Sequence, residues 1–294
     1  METRGGGGTR ARAIVAVAAA GLVALVAALL GSAAFAGRAP DGPEGLSRAD
    51  LLGVNFVENC RFSHRAPDDP IVFPGKPGAS HEHTFIGNRT TNAFSTFGSL
   101  RSGSTTCQRP EDTAAYWVPT LYQGTQAVAP LGATIYYRRA TLGEVHTFPN
   151  GLRMIAGDAT ATRPQGGRVT FWSCGAASLV APSETIPTCP DARGSLLRLH
   201  IRFPSCWDGR NLDSADHKSH MAYPRAGRCL STHPFAVPQI TQIYRYPTRG
   251  GEGFSLASGG QFSAHADFFN AWNLGTLRKL VEDCLNALVH CGRV

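Results

Sequence analysis

Eight cysteines, all downstream of an uncharged N-terminal run, constrain this chain more than any other feature. They are Cys60, Cys107, Cys174, Cys189, Cys206, Cys229, Cys284 and Cys291. None forms a C-x-x-C pair, which argues against zinc knuckles and thioredoxin-type chemistry. An even set of this kind fits an oxidising compartment and a framework of bridges. Many connectivities are open to eight cysteines. The expectation is that neighbours in sequence pair: Cys60–Cys107, Cys174–Cys189, Cys206–Cys229 and Cys284–Cys291. Each bridge would stabilise the fold by about 2–4 kcal/mol and hold loops that have little core of their own.

The N-terminus agrees with that compartment. Arg4, Arg10 and Arg12 precede an Ala/Val/Leu run from Ala13 to Leu30, and "GSAAFAG" supplies a small-x-small site at Ala34-Phe35-Ala36. Residues 1–36 therefore read as a signal peptide, which leaves a secreted protein with no membrane segment after cleavage. The alternative is a retained anchor through residues 13–30, since such a run approaches the roughly 20 residues that span a bilayer. Residues 37–50, "GRAPDGPEGLSRAD", form a polar Gly/Pro linker, and residues 51–294 are expected to be one domain.

That domain should be mainly β. Gly (33) and Pro (19) are too frequent for long helices to dominate. "LLRLHIRF" puts Leu197, Leu199, Ile201 and Phe203 on one face and Arg198, His200 and Arg202 on the other, the alternation of a half-buried strand. "ATIYYRR" and "RVTFWSC" are rich in β-branched and aromatic residues. Asn150-Gly151 between apolar stretches signals a hairpin. Short strands with turn signals between them predict a sandwich or jelly roll with disulfide-stapled loops. One C-terminal helix is expected in "TLRKLVEDCLNALVH", capped by Thr276 at its start and Gly292 at its end.

The net charge is +7, and +5 once the three Arg and one Glu of residues 1–36 are gone. No basic run is interleaved with aromatics, so nucleic acid is rejected as a partner. There is also no G-x-S-x-G elbow, H-E-x-x-H helix, P-loop or dinucleotide fingerprint.

Histidine carries the chemical signal. Seven of ten histidines lie in short polar clusters: His64, the pair His81 and His83, the pair His217 and His220, His233, and His265 beside Asp267. Residues two apart on a strand point the same way, so His81 and His83 can face one cation or one substrate. His217 and His220 meet on a single helical turn. Neutral imidazoles bind zinc or copper, with a carboxylate completing the shell or fixing a tautomer. Asp208 and Asp267 are the candidates for that role or for general acid–base work with His265. Trp117, Trp207 and Tyr122 could stack on sugar rings, against the ordinary reading of aromatic core.

These blocks carry a resemblance. "FSHRAPDDPIVFPGKPGASHEHTFIGN", "YWVPTLY", "FPSCWDGRNLDSADHKSHMAYP", "STHPFAVPQI" and "SAHADFFNAW" resemble, in order, a secreted family known only as a domain of unknown function, number nineteen ninety-six. The resemblance spans roughly residues 53–290, and its polar positions match His64, His81, His83, Asp208, His217, His220, His233, His265 and Asp267. Where the family pattern reads Asn-Gly-Trp, this chain has Ala271 between Asn270 and Trp272. The resemblance implies an exported protein with a cell-wall or glycan role, and supplies no reaction. Three functions follow as expectations: a metal-binding or hydrolase-like site acting on extracellular polysaccharide, a non-catalytic glycan binder, or a surface copper or zinc buffer.

Overall fold

The computed structural model describes residues 46–175 and 180–293. The expected leader, and most of the linker, lie outside them. Among the described residues no helix is long and apolar enough to cross a membrane.

The fold is a β-sandwich. The larger sheet contains β1 (Asn55–Cys60), β7 (Gly132–Arg138), β9 (Thr170–Cys174), β10 (Leu197–Arg202), β14 (Gln239–Arg245) and β17 (His290–Arg293), in the order β17-β1-β7-β14-β10-β9. The second has β2 (Phe62–Ala66), β3 (His83–Gly87), β4 (Ala115–Pro119), β8 (Arg153–Gly157) and β16 (His265–Phe269), in the order β2-β3-β4-β16-β8. Every pairing is antiparallel except β1 with β17. Two small sheets flank these. One joins β5 (Leu121–Gln123), β6 (Gln126–Val128) and β15 (Phe254–Leu256); the other joins β11 (Cys206–Trp207), β12 (Met221–Ala222) and β13 (Phe235–Ala236).

Alternation explains the layering. Leu197, Leu199 and Ile201 of β10 are fully buried, as are Ile135 and Tyr137 of β7. They meet Ile86, Tyr116, Val118, Met154 and Phe268 from the five-stranded sheet in one continuous core. A polar seam crosses this core: Tyr116 donates to Asp112 and is bonded to Tyr137, whose hydroxyl accepts from the Trp272 indole. The opposite face of the five-stranded sheet carries a smaller core of Ile71, Phe85, Leu100, Trp117, Phe269 and Ala271. The short helix α1 (Phe97–Ser102) contributes Leu100 to it.

The four disulfides join sequence neighbours, as expected. The C-terminal helix differs in detail. Helix α2 runs Leu274–Leu280, is capped by the Asn273 side chain rather than by Thr276, and continues as a π-helical segment, Val281–Asn286. Leu288, at φ 58°, then turns the chain into β17, so Gly292 lies in a strand and caps nothing. The wider π turn keeps Val281, Cys284 and Leu285 on the core. Asn150-Gly151 makes no hairpin: Gly151 turns the chain at φ 80° into β8, but no strand precedes it. Ala271, where the family pattern has glycine, is fully buried and needs no left-handed backbone.

Candidate metal centre

The second face of the five-stranded sheet gathers the histidines. His83 opens β3 and His265 opens β16, separated by β4 in the sheet. His265 pairs with Gly157 at the end of β8. Gly157 has φ 89°, and a Cβ there would lie 2.5 Å from the Ala264 carbonyl oxygen, so only glycine lets the strands close this tightly beside His265. His81 reaches the same point from the loop before β3. Its Nε2 is 3.2 Å from His265 Nε2, and His83 Nε2 is 3.5 Å from the same atom.

The tautomers follow from the backbone. His83 Nδ1 donates to the Asp68 carbonyl and His265 Nδ1 to the Ser263 carbonyl, each at 2.9 Å. Carbonyl oxygens only accept, so each Nδ1 carries the proton and each Nε2 presents a lone pair. Two such lone pairs face each other across 3.5 Å. That arrangement repels unless a cation sits between them. With metal–nitrogen bonds of about 2.0–2.1 Å, the edge of a tetrahedral site is about 3.3–3.4 Å, close to both measured separations. Burial lowers the basicity of all three rings: His265 falls to about 3, His83 well below its ordinary value, and half-buried His81 in the same direction. The rings are neutral at physiological pH, the state in which imidazole binds a metal.

Carboxylates lie directly behind them. Asp267 is two residues beyond His265 on the same face of β16, and it is 1% exposed. Neither of its oxygens has a hydrogen-bond partner among the described residues. Asp69 is also buried, with its Oδ1 accepting from the Ile71 and Val72 amides at 2.8 and 3.0 Å. Ligand atoms of Asp69, His83 and Asp267 lie within 4.8 Å of one another, as do those of His81, His83 and His265. Burial raises both carboxyls, and the charge of Asp69 pushes Asp267 further. Lys218 closes one side, donating from Nζ to the Gly157 carbonyl at 2.8 Å. A cleft of about 250 Å³ between Ile155, Gly157, Lys218 and Tyr223 adjoins it. The cluster can hold a metal ion.

The chain belongs to the family described as Domain of unknown function (DUF1996). The family model matches residues 69–272, from Asp69 through Trp272. No curated protein and no solved structure matches the chain.

The remaining candidates, all but His64 within the matched DUF1996 residues, sit elsewhere. His220 is near the sheet, but its nitrogens are bonded to Ser214 and to the Arg153 carbonyl, so it is not free to be a ligand beside His81 and His83. His217 bonds Asp213 through Nδ1 and is held at φ 57°, a conformation a non-glycine residue adopts at a cost. His64 stacks on Phe85 and bonds Ser63 and the Thr91 carbonyl; His233 bonds Thr232 and the Ser219 carbonyl. Asp208 accepts from the Arg210 and Asn211 amides and organises a turn, and it is not part of the clusters formed by His265 and Asp267. Trp117 is fully buried between Phe85 and His83 and cannot present a face to a sugar. Trp207 is half-buried against Phe235, and Tyr122 donates to Glu82 at 2.8 Å. Asp69 and Lys218 escaped the sequence reading. Their signals were present in "DDP" and "DHKSH", but neither spacing nor charge singles them out.

Proposed function

We propose that this is an exported metal-binding protein whose centre is His81, His83 and His265, and that it acts on extracellular polysaccharide in a hydrolase-like way. The observation that carries the metal reading is the convergence of three Nε2 atoms, two of them with tautomers fixed by backbone carbonyls. Three neutral imidazoles suit zinc or copper, and a three-histidine set leaves a position for water or substrate. A bound divalent ion supplies Lewis acidity and an activated water. The rest is work for the chain itself. Asp68 and Ser263 orient the rings, Asp69 and Asp267 balance the charge, and Lys218 flanks the cleft through which a polymer would approach. The four disulfides and the resemblance to exported proteins support the extracellular setting.

The test is metal analysis of protein purified without an affinity tag, after exposure to zinc or copper and dialysis. One equivalent per chain is expected, lost in His83→Ala and His265→Ala. Wild-type protein retaining no more metal than these variants overturns the metal centre. Release of new reducing ends from wall polysaccharide, abolished by the same variants, tests the hydrolase-like part. Trp117, being buried, is not available as the aromatic platform of a glycan binder.

A further inference from the structure

The outer face of the six-stranded sheet has a different character from the histidine site. Arg198, His200 and Arg202 alternate outward along β10. Arg245 of β14 stands directly opposite Arg198 in the ladder, and Arg138 of β7 lies on the same face, opposite Gln239. Four guanidiniums thus occupy three adjacent strands. Strand spacing and rise place them in a patch of roughly 10 by 20 Å, with Arg198 and Arg245 at one end and Arg138 at the other. All four are half-buried.

Nothing described neutralises them. Among the described residues no ion pair and no hydrogen bond involves any of the four guanidiniums, and the Nε atoms of Arg198 and Arg245 are buried without a partner. The charged groups acting on Arg138 and Arg198 are Arg202, Arg245 and the phenol of Tyr136. Those acting on His200 are Arg198, Arg202 and Arg138. No carboxylate enters any of these sets. Like charges directly opposite in a sheet destabilise it, so the arrangement carries a standing cost that a bound anion would relieve. Arginines elsewhere show the contrast: Arg65 pairs with Glu82, Arg109 with Glu58, Arg153 with Asp213 and Arg249 with Asp191.

Aromatic rings accompany the charges. The Arg138 guanidinium lies 4.2 Å over the Tyr136 ring, and Phe171 stacks on His200 at 4.3 Å. Tyr223 donates to the Arg202 carbonyl at one edge and is itself exposed. A guanidinium stacked on a ring keeps its N–H edge free for a carboxylate, sulfate or phosphate.

We infer that this arginine face is a binding surface for an acidic polysaccharide, a chain bearing repeated carboxylate or sulfate groups, laid across β7, β14 and β10. Charge complementarity chooses the class of ligand. Separated arginines interspersed with ring faces suit a polymer with anions spaced between sugars better than one compact ion. A lipid surface is disfavoured because none of the exposed large hydrophobic side chains lies on these three strands. The inference does not depend on the metal centre, which occupies the other sheet.

The experiment uses the full purified chain. Binding of heparin fragments, oligogalacturonate, neutral dextran and phosphatidylglycerol vesicles is measured at low and physiological salt. Tight, salt-sensitive binding to one or both acidic polysaccharides is expected, with none to dextran; the two arms tell sulfate from carboxylate recognition. The double variant Arg198→Gln/Arg245→Gln should bind about tenfold more weakly, a difference of about 1.4 kcal/mol. His83→Ala should bind like wild type, so failure of the metal centre leaves this result untouched. Thermal melting checks the fold: heparin should raise the wild-type midpoint and leave that of the double variant in place. Should the double variant fail to fold, the single variant Arg138→Gln is used, with a smaller loss expected. Equal binding by wild type and charge-removed variants, absence of binding to both acidic polysaccharides, or binding confined to the vesicles overturns the inference.

Discussion

The two sheets of the sandwich each carry a crowded polar cluster on the face turned away from the main core, one buried and one half-exposed, and the two differ in charge. On the five-stranded sheet, three uncharged imidazoles and two buried carboxyls converge with no cation among their hydrogen-bond partners. On the six-stranded sheet, four guanidiniums stand together with no carboxylate. Glu58, buried in the main core, is by contrast paired with Arg109. An unpaired buried charge is costly, and on the two proposals above each cluster trades stability for a ligand: a cation in the closed, directional histidine site, and anions over the open arginine face.

The largest effects should come from the histidine face. A ligand at a thousand times its dissociation constant stabilises by about 4 kcal/mol, and zinc or copper should raise the melting temperature accordingly. His265→Ala should weaken metal binding by more than the roughly 10–100-fold typical of losing an outer-sphere partner. A melting temperature indifferent to both metals would break the comparison at its first term.

His200, on the arginine face, gives the next effect. Burial and the charges of Arg198, Arg202 and Arg138 lower it from 6.5 to about 4. A ring harder to protonate when folded contributes stability that is complete above pH 6.5. That stability is lost as pH falls from 6.5 to about 4, and no further loss follows below. The loss is at most about 3 kcal/mol. The metal-free histidine cluster slopes the same way, so the measurement is a difference: denaturant titrations of His200→Gln between pH 7 and 4 should show a shallower decline than wild type. An identical slope would mean that burial and the arginines together do not lower this ring.

A smaller effect, of opposite sign for stability and function, belongs to Asp267. Asp267→Asn keeps the shape and removes the charge. The metal-free protein should gain about 1–2 kcal/mol at neutral pH, while metal affinity falls. Stability lost together with affinity would show that the carboxylate is held by contacts within the fold.

How much of this could be read from the chain depends on range. Period-two alternation announced β10, and adjacency in sequence gave the cystine pairs. The H-x-H spacing pointed to a shared direction for His81 and His83; His81 lies in the loop before β3, and the Nε2 atoms of both lie near that of His265. What brings His265 to them is the order of strands β3, β4 and β16, which no local pattern encodes. His220 looked equivalent, yet its nitrogens are used by Ser214 and the Arg153 carbonyl. Trp117 looked like a sugar platform because composition cannot tell an inward aromatic from an outward one. The arginine face was half visible: Arg198 and Arg202 alternate in one strand, but Arg245 and Arg138 join them only through ladder register.

That register supplies the smallest and sharpest test. Arg245 faces Arg198 across β14 and β10, a like-charge pair that should cost about 0.2–1 kcal/mol. Arg245→Gln removes the repulsion while keeping a long polar side chain, so the variant should melt slightly higher than wild type at low ionic strength. The gain should shrink as salt rises, because exposed charges are screened over about 8–10 Å near physiological strength. The same substitution at Arg109 should act in the opposite direction, since it would strand the buried Glu58. If Arg245→Gln instead destabilised the protein as Arg109→Gln does, the guanidinium would be a structural element. The arginine face would then be ordinary packing, and only the histidine face would remain as a place where the fold holds charge in reserve.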